Sequence, residues 1–345
     1  MGNKKYINGT LYFFIHFIIE ITSFYVISSY AGLEIATILA LAYDFLAFVP
    51  QGLFGYLKDK GIKINFSLVG VALTSLSVLL FYFNVNAIPV IIIVAIGNAT
   101  IHVEGAETTL RGSNGKMTPA ALFVAGGSFG LITGRLLAQN AFPALAILAI
   151  NLVIIPLAIV AGVIFKPEES ESNLKQYKFS SKKFNPEIIV LLAVIVVAVR
   201  AYMGYGIPTT WNKTVIQTIL LYVFMGVGKA MGGVLIDLIG IRKTALISTL
   251  GALPFLLFGD NVMIVSLIGV MMFSMTMAIT LAVIVSEMPK LPGVAFGMTT
   301  IGLFVGTLPI FFFRITTIWV NCLIITLLTV ACVIILHMIC GKEEK

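Results

Sequence analysis

The sequence is poor in charge. Only 11% of its 345 residues are Asp, Glu, Lys or Arg, whereas 59% are hydrophobic, and the mean hydropathy is +1.06. A soluble globular chain is about 25% charged and about 45–50% apolar. The composition therefore excludes a water-soluble enzyme, a disordered protein and a nucleic-acid binder. It is typical of a polytopic membrane protein.

Cysteine is also scarce. The three cysteines, Cys322, Cys332 and Cys340, all lie in the last apolar stretch, where they suit neither a disulfide framework nor a zinc site of the usual spacing. The sequence also lacks the G-x-x-x-x-G-K-[ST] phosphate loop and the HExxH and GxSxG motifs. We therefore expect the protein to be neither an ATP-driven pump nor an enzyme. We also expect it to have no catalytic residues, no bound metal and no cofactor.

Long apolar stretches make up most of the chain. A membrane-spanning helix needs roughly 20 apolar residues. Twelve such stretches follow one another at 6–30, 32–56, 64–84, 87–110, 118–140, 143–165, 186–207, 214–238, 243–260, 262–286, 293–314 and 317–340. One long polar segment separates the first six from the last six. The sequence thus predicts an all-α membrane protein with a six-helix bundle at 1–165, a cytoplasmic linker at 166–185 and a second bundle at 186–345.

The basic residues gather on one side of this topology. With the N-terminus in the cytoplasm, 17 of the 22 lysines and arginines fall in cytoplasmic segments, at 1–5, 57–63, 111–117, 166–185, 240–243, 288–291 and 341–345. Lys and Arg accumulate in the cytoplasmic loops of membrane proteins. We therefore expect both termini to be cytoplasmic, in a cell (plasma or inner) membrane. The net charge of +7 then reflects topology and does not indicate nucleic-acid binding.

The two halves share a motif. The second span ends in GYLKDK, from Gly55 to Lys60, and the eighth ends in GVLIDLIGIRK, from Gly233 to Lys243. Each copy has a glycine four residues before an aspartate, with basic residues after it. Two six-span halves related by an internal repeat are a recurrent transporter design.

On these residues the chain resembles the major facilitator superfamily, whose motif at this loop is G-x-x-x-D-(R/K)-x-G-(R/K)-(R/K). The span count, the central loop and the repeat extend the resemblance over the whole chain. The match is imperfect, because Leu238 replaces a base and the first copy is one residue short before Gly61. The resemblance implies a conformational latch in which the aspartate pairs across the two halves in one conformation only. Its residues here are Gly55, Asp59, Lys60, Gly233, Asp237, Arg242 and Lys243.

Charges inside the spans are the candidate functional groups, because each costs about 2.5–3.5 kcal/mol to insert. His16 and Glu20 are four residues apart on one helix face. Histidine titrates near neutral pH. We favour this pair as the proton-coupling site, and a mutually satisfied structural pair is the alternative.

Further intramembrane charges complete the set. Arg200 lies too deep to reach the interface easily, so it needs a carboxylate of the protein or an anionic substrate. Lys229 could bind a substrate or neutralise an acid, whereas Arg135 could extend to the interface. Asp44 and Glu104 either face a cavity or bond to neighbouring helices. The predicted substrate and coupling set is His16, Glu20, Asp44, Glu104, Arg135, Arg200 and Lys229.

Acids and histidine lie in the first half, and Arg200 and Lys229 lie in the second. In the resembled family the central cavity lies between the halves, so its walls here would carry opposite charges. This arrangement favours a small organic anion or zwitterion. We expect a monomeric secondary active transporter that works by alternating access, with protons as the coupling ion and membrane lipid around it. The alternatives are a divalent metal-ion transporter, with ligands from His16, Glu20, Asp44, His102 and Glu104, and a lipid flippase or non-transporting membrane sensor.

Overall fold

Each predicted span forms a helix in the computed structural model, which describes residues 4–164, 177–206, 209–313 and 317–341. In chain order the helices are α1 (Lys4–Ser29), α2 (Ala36–Asp59), α3 (Phe66–Tyr82), α4 (Ala87–Arg111), α5 (Thr118–Gln139), α6 (Ala144–Val163), α7 (Pro186–Gly204), α8 (Val215–Ile239), α9 (Ile241–Phe258), α10 (Met263–Glu287), α11 (Pro292–Phe311) and α12 (Ile318–Ile339). Eleven of them are long and apolar enough to cross a membrane, and α3 is a shorter apolar helix of 17 residues. The predicted linker at 166–185 lies partly outside the described residues.

Several helices are interrupted. Helix α2 consists of Ala36–Phe48 and Gln51–Asp59, and Pro50 stands at the break. Proline has no N–H to donate, so it interrupts the hydrogen bonding of a helix. Helix α9 contains a π-helical turn at Ile247–Gly251, and α11 ends in a 3-10 turn at Leu308–Phe311.

In the first half, α1 packs directly on α5. Gly126, Gly130 and Gly134 lie one turn apart on α5 and face the backbone of α1. A Cβ atom on each would overlap a carbonyl oxygen of α1, at Phe13, Phe17 and Ile21 in turn. Small residues allow such close approach of two backbones, so this glycine ridge is a packing seam.

The most extensive contacts between the two halves are those of α2 with α11 and of α5 with α8. Glycine again permits the contact. A Cβ atom on Gly55 would overlap the backbone of Gly293, and one on Gly233 would overlap the Cβ atom of Ala121. Both crossings lie toward the end of the bundle that carries Lys58, Lys60, Arg111, Arg242 and Lys243, called the basic end below.

A short segment at residues 177–181, called the strap, crosses the basic end from one half to the other. The hydroxyl of Tyr177 donates to the carbonyl of Leu110 in the first half, at 2.9 Å. The N–H of Phe179 donates to the hydroxyl of Ser286 in the second half, at 3.0 Å. The N–H of Ser181 then donates to the carbonyl of Ile339, at 2.7 Å. The strap thus joins α4 to α10 and α12.

Candidate functional site

A cavity of about 150 Å³ lies between the two halves, roughly midway along the bundle. At ~10–15 Å³ of such volume for each water, it has room for about ten waters, which is enough for a small organic solute. The charged residues and histidines of its lining come from both halves. The first half contributes His16, Glu20, Asp44 and His102, and the second contributes Arg200 and Lys229.

The first-half wall contains a cluster of His16, Glu20 and His102. Nε2 of His16 lies 3.7 Å from Oε1 of Glu20, and Nε2 of His102 lies 3.4 Å from the same oxygen. All three side chains are buried. The amide of Asn98 donates to this oxygen at 2.9 Å and to the hydroxyl of Ser23 at 3.1 Å. Helices α1 and α4 together therefore hold the Glu20 carboxylate in place.

Backbone carbonyls determine the tautomer of both histidines. Nδ1 of His16 lies 2.7 Å from the carbonyl oxygen of Phe123, and Nδ1 of His102 lies 2.9 Å from that of Asn98. A carbonyl oxygen only accepts, so each Nδ1 carries the hydrogen. In the neutral rings both Nε2 atoms therefore point a lone pair toward Glu20. These lone pairs repel the Glu20 carboxylate. A proton on either Nε2 removes that repulsion and forms an ion pair with Glu20, so the cluster can bind a proton.

Asp44 faces the same cavity from α2 and is half-buried. It forms no hydrogen bond or ion pair with any described residue, and its electrostatic neighbour is Glu20. Unlike the Glu20 carboxylate, the Asp44 carboxylate receives no hydrogen bond from the described part of the chain.

Arg200 on α7 and Lys229 on α8 form the second-half wall. Arg200 is buried, and its charge acts on Lys229. The charge of Glu20 also acts on the Lys229 ammonium. This ammonium forms no hydrogen bond or ion pair with any described residue. The predicted opposition of acids and bases therefore exists among five lining residues of the cavity, His16, Glu20, Asp44, Arg200 and Lys229.

Two residues of the predicted set lie elsewhere. Glu104 accepts from the ammonium of Lys58 at 2.8 Å and from the N–H of Phe66 at 2.9 Å, and it is not among the cavity-lining residues. It joins α4 to the α2–α3 connection. Arg135 is exposed and is not among the cavity-lining residues, and its charge acts on Tyr222, which does line the cavity.

The two latch aspartates occupy equivalent positions. Asp59, at the end of α2, accepts from the N–H groups of Gly293 and Val294 at 3.1 and 2.9 Å, at the start of α11. Asp237, near the end of α8, accepts from the N–H groups of Met117 and Thr118, each at 2.9 Å, at the start of α5. Each aspartate therefore caps a helix N-terminus of the other half, where negative charge is favourable.

The basic residues of the motif do not contact these aspartates. Lys60 is exposed and lies over the ring of Tyr56, and Lys243 is exposed. Arg242 donates to the carbonyl of Cys340 at 3.0 Å. The base that does contact a latch aspartate is Arg111, 3.3 Å from Asp59, which also pairs with Glu107.

Two residues outside the predicted substrate and coupling set, His102 and Asn98, contribute to the cluster. Both lie on α4, four residues apart, and both contact Glu20. Their spacing on one face of a polar stretch was the available signal, because residues one turn apart project in a similar direction.

No protein-family model and no curated protein sequence matches this chain. Solved structures do match it. A point variant of the E. coli fucose:proton symporter FucP is 14% identical, with a TM-score of 0.66, over 96% of this chain and 97% of that one. FucP described as a major facilitator superfamily transporter in the outward conformation is 15% identical, with a TM-score of 0.67, over 97% of this chain and 99% of that one. Similarity at this level of identity shows a shared fold.

Proposed function

Because the chain has the all-α, twelve-helix fold of the major facilitator superfamily, we propose that it is a proton-coupled secondary active transporter of a small charged organic molecule. The observation that carries this proposal is a central cavity with a His–Glu–His cluster on one wall and Arg200 and Lys229 on the other. Opposite charges on the facing walls of two halves provide both a binding site and a way to link it to their movement.

Alternating access requires that the two halves separate at one end at a time. We take 1–165 and 186–345 as the moving units. The contacts at the basic end support this assignment, since the caps of Asp59 and Asp237 cross between the halves only where that end is closed. The distribution of lysine and arginine makes the basic end cytoplasmic. The described conformation is then closed toward the cytoplasm.

Proton coupling is assigned to the His16–Glu20–His102 cluster. A proton bound there adds a positive charge to the wall that faces Arg200 and Lys229. Charges within one poorly hydrated cavity interact more strongly than charges in water. Protonation of the cluster and occupancy of the cavity by a charged solute therefore depend on each other, which is the requirement for coupling.

The cavity charges favour an anion or zwitterion as the substrate. FucP is named as a fucose symporter, and a neutral sugar is the alternative that this similarity suggests. A sugar has no charge to pair with Arg200 or Lys229. A divalent cation could use the nitrogen and oxygen atoms of the cluster, but the two basic side chains in the same cavity would repel it.

The test is uptake into proteoliposomes with an imposed pH gradient, screened against a pool of metabolites. For a solute that accumulates, we expect Glu20→Gln to abolish gradient-driven accumulation and to spare counterflow. The matched control is Glu34→Gln, since Glu34 is exposed and lies outside the cavity. Unaltered accumulation in Glu20→Gln would overturn the coupling assignment. Uptake that requires a divalent metal and no proton gradient would support the metal-ion transporter in place of the proton-coupled transporter.

A further inference from the structure

We propose that the substrate is a zwitterion with an apolar side chain, its ammonium bound by Asp44 and its carboxylate bound by Lys229. This inference rests on the proposed transport function and names the substrate class of the same cavity. Two oppositely charged groups on facing walls, neither of which pairs with a described residue, support it, together with the apolar lining around them.

Asp44 and Lys229 both lie deep in the bundle. At 1.5 Å per residue, Asp44 is about 12 Å from the first residue of α2, and Lys229 is about 15 Å from the last residue of α8. An ionised group at such depth normally pairs with another group of the protein. Neither of these two does so among the described residues. Both face the cavity, so a bound solute is the partner available to each.

Glu20 is already engaged by the protein through one of its two carboxylate oxygens. Its Oε1 atom receives the amide of Asn98 at 2.9 Å and faces both histidines. Asp44 accepts no hydrogen bond from the described residues and is therefore the acid that we assign to a cationic group of the substrate. This separates the proton-binding cluster on α1 and α4 from the solute-binding acid on α2.

Charge balance then selects the solute. A monoanion would satisfy Lys229 but would leave Asp44 unpaired and repelled. A monocation would satisfy Asp44 and be repelled by Lys229 and Arg200. A neutral sugar would leave both groups without an ionic partner. A zwitterion carries a partner for each group and adds no net charge to the cavity.

The remaining lining is largely apolar and identifies the third recognition element. Phe24 on α1 and Phe48 on α2 lie on the first-half wall. Met225 on α8 and Phe296 and Leu303 on α11 lie on the second. Ser128, Tyr222, Thr300 and Thr307 also line the cavity, so its apolar part binds an aliphatic or aromatic group beside a few hydroxyl groups. The structure thus favours an amino acid with an apolar side chain.

The experiment measures binding to the purified full chain in detergent, without any gradient, by calorimetry. The probes are leucine, 3-methylbutylamine, 4-methylpentanoate and fucose, which carry both charges, the amine only, the carboxylate only and neither. We expect leucine to bind at least tenfold more tightly than the other three. We expect Asp44→Asn to lose at least tenfold for leucine while 4-methylpentanoate binds as well or better. Lys229→Gln should show the reverse preference, for the amine.

Glu34→Gln and Lys63→Gln are the matched controls, because both residues are exposed and outside the cavity. Loss of binding alone could result from misfolding. A variant whose preference between the amine and the acid changes still binds one of them, so it is folded and the change reports on recognition. The inference is overturned if fucose or 4-methylpentanoate binds the unmodified protein better than leucine, or if neither cavity variant changes the preference. Since the binding assay uses no gradient, a failure of proton coupling in the proteoliposome assay would not change the binding result, and the two failures can be distinguished.

Discussion

Thr118 donates two hydrogen bonds to the same carboxylate oxygen of Asp237, from its N–H at 2.9 Å and from its hydroxyl at 2.6 Å. Asp237 is near the end of α8 in the second half, and Thr118 begins α5 in the first. Asp59 makes the equivalent contact with the start of α11. At the basic end, two helices therefore have their N-termini capped by an aspartate of the opposite half.

Replacing one cap should shift the protein toward the state that is open at the basic end. An N-cap contributes about 0.5–2 kcal/mol, which corresponds to a roughly two- to 30-fold change in the equilibrium between the two states. We expect Asp237→Ala to show this shift and Asp237→Asn, which keeps an acceptor, to show a smaller one. Distance distributions between spin labels on α5 and α8 at the basic end would measure it. An unchanged distribution in Asp237→Ala would show that the cap does not hold this end closed.

Tyr177→Phe should shift the same equilibrium in the same direction. Burial raises the pKa of the Tyr177 hydroxyl, so it stays protonated and donates to Leu110. Its loss removes a hydrogen bond of about 1 kcal/mol, roughly a fivefold change. Accessibility of a cysteine introduced at the basic end would report it. Tyr56→Phe is the control, because Tyr56 is exposed at that end and forms no hydrogen bond through its hydroxyl with the described residues. An equal effect of both variants would assign the change to something other than the strap.

Glu104→Gln should destabilise the protein and leave proton coupling intact. Lys58 and Glu104 form a pair whose side chains are each only 11% exposed. Removing one partner of a buried pair costs about 3–5 kcal/mol, and partial exposure places this pair toward the lower end. Thermal unfolding in detergent would show a lower Tm, and proteoliposomes would show retained pH-driven uptake at reduced yield. Loss of proton coupling at an unchanged Tm would instead assign Glu104 a direct role in transport.

Gly130→Ala should weaken the packing of α1 on α5. Its Cβ atom would overlap the carbonyl oxygen of Phe17 and lie 2.6 Å from the Cβ atom of Glu20. Overpacking of this kind costs about 1–3 kcal/mol. We expect a lower Tm and impaired proton coupling, because the displaced helix carries Glu20. The control is Gly32→Ala, where a Cβ atom would meet nothing within 4 Å. Equal stability of the two variants would contradict the close contact of α1 with α5.

The sequence by itself determined the number, order and approximate ends of the helices. The twelve predicted spans each correspond to a helix. The cost of placing a residue in lipid depends on its own side chain, so a run of apolar residues is enough to predict a membrane-spanning helix. The latch motif was equally visible, since a glycine and an aspartate four residues apart recur at the ends of α2 and α8. These features depend on short stretches of chain.

Only the tertiary structure decided which intramembrane charges meet. Glu20 and Glu104 are both acids deep within helices of the first half, yet one lies in the cavity between two histidines and the other pairs with Lys58. The rotation of α4, set by its packing against α1, α2 and α3, brings His102 and Asn98 to Glu20 and directs Glu104 away. Contacts between residues 80 or more positions apart, such as His102 with Glu20, depend on the mutual orientation of whole helices. That orientation results from the packing of many side chains, and no local stretch of sequence determines it.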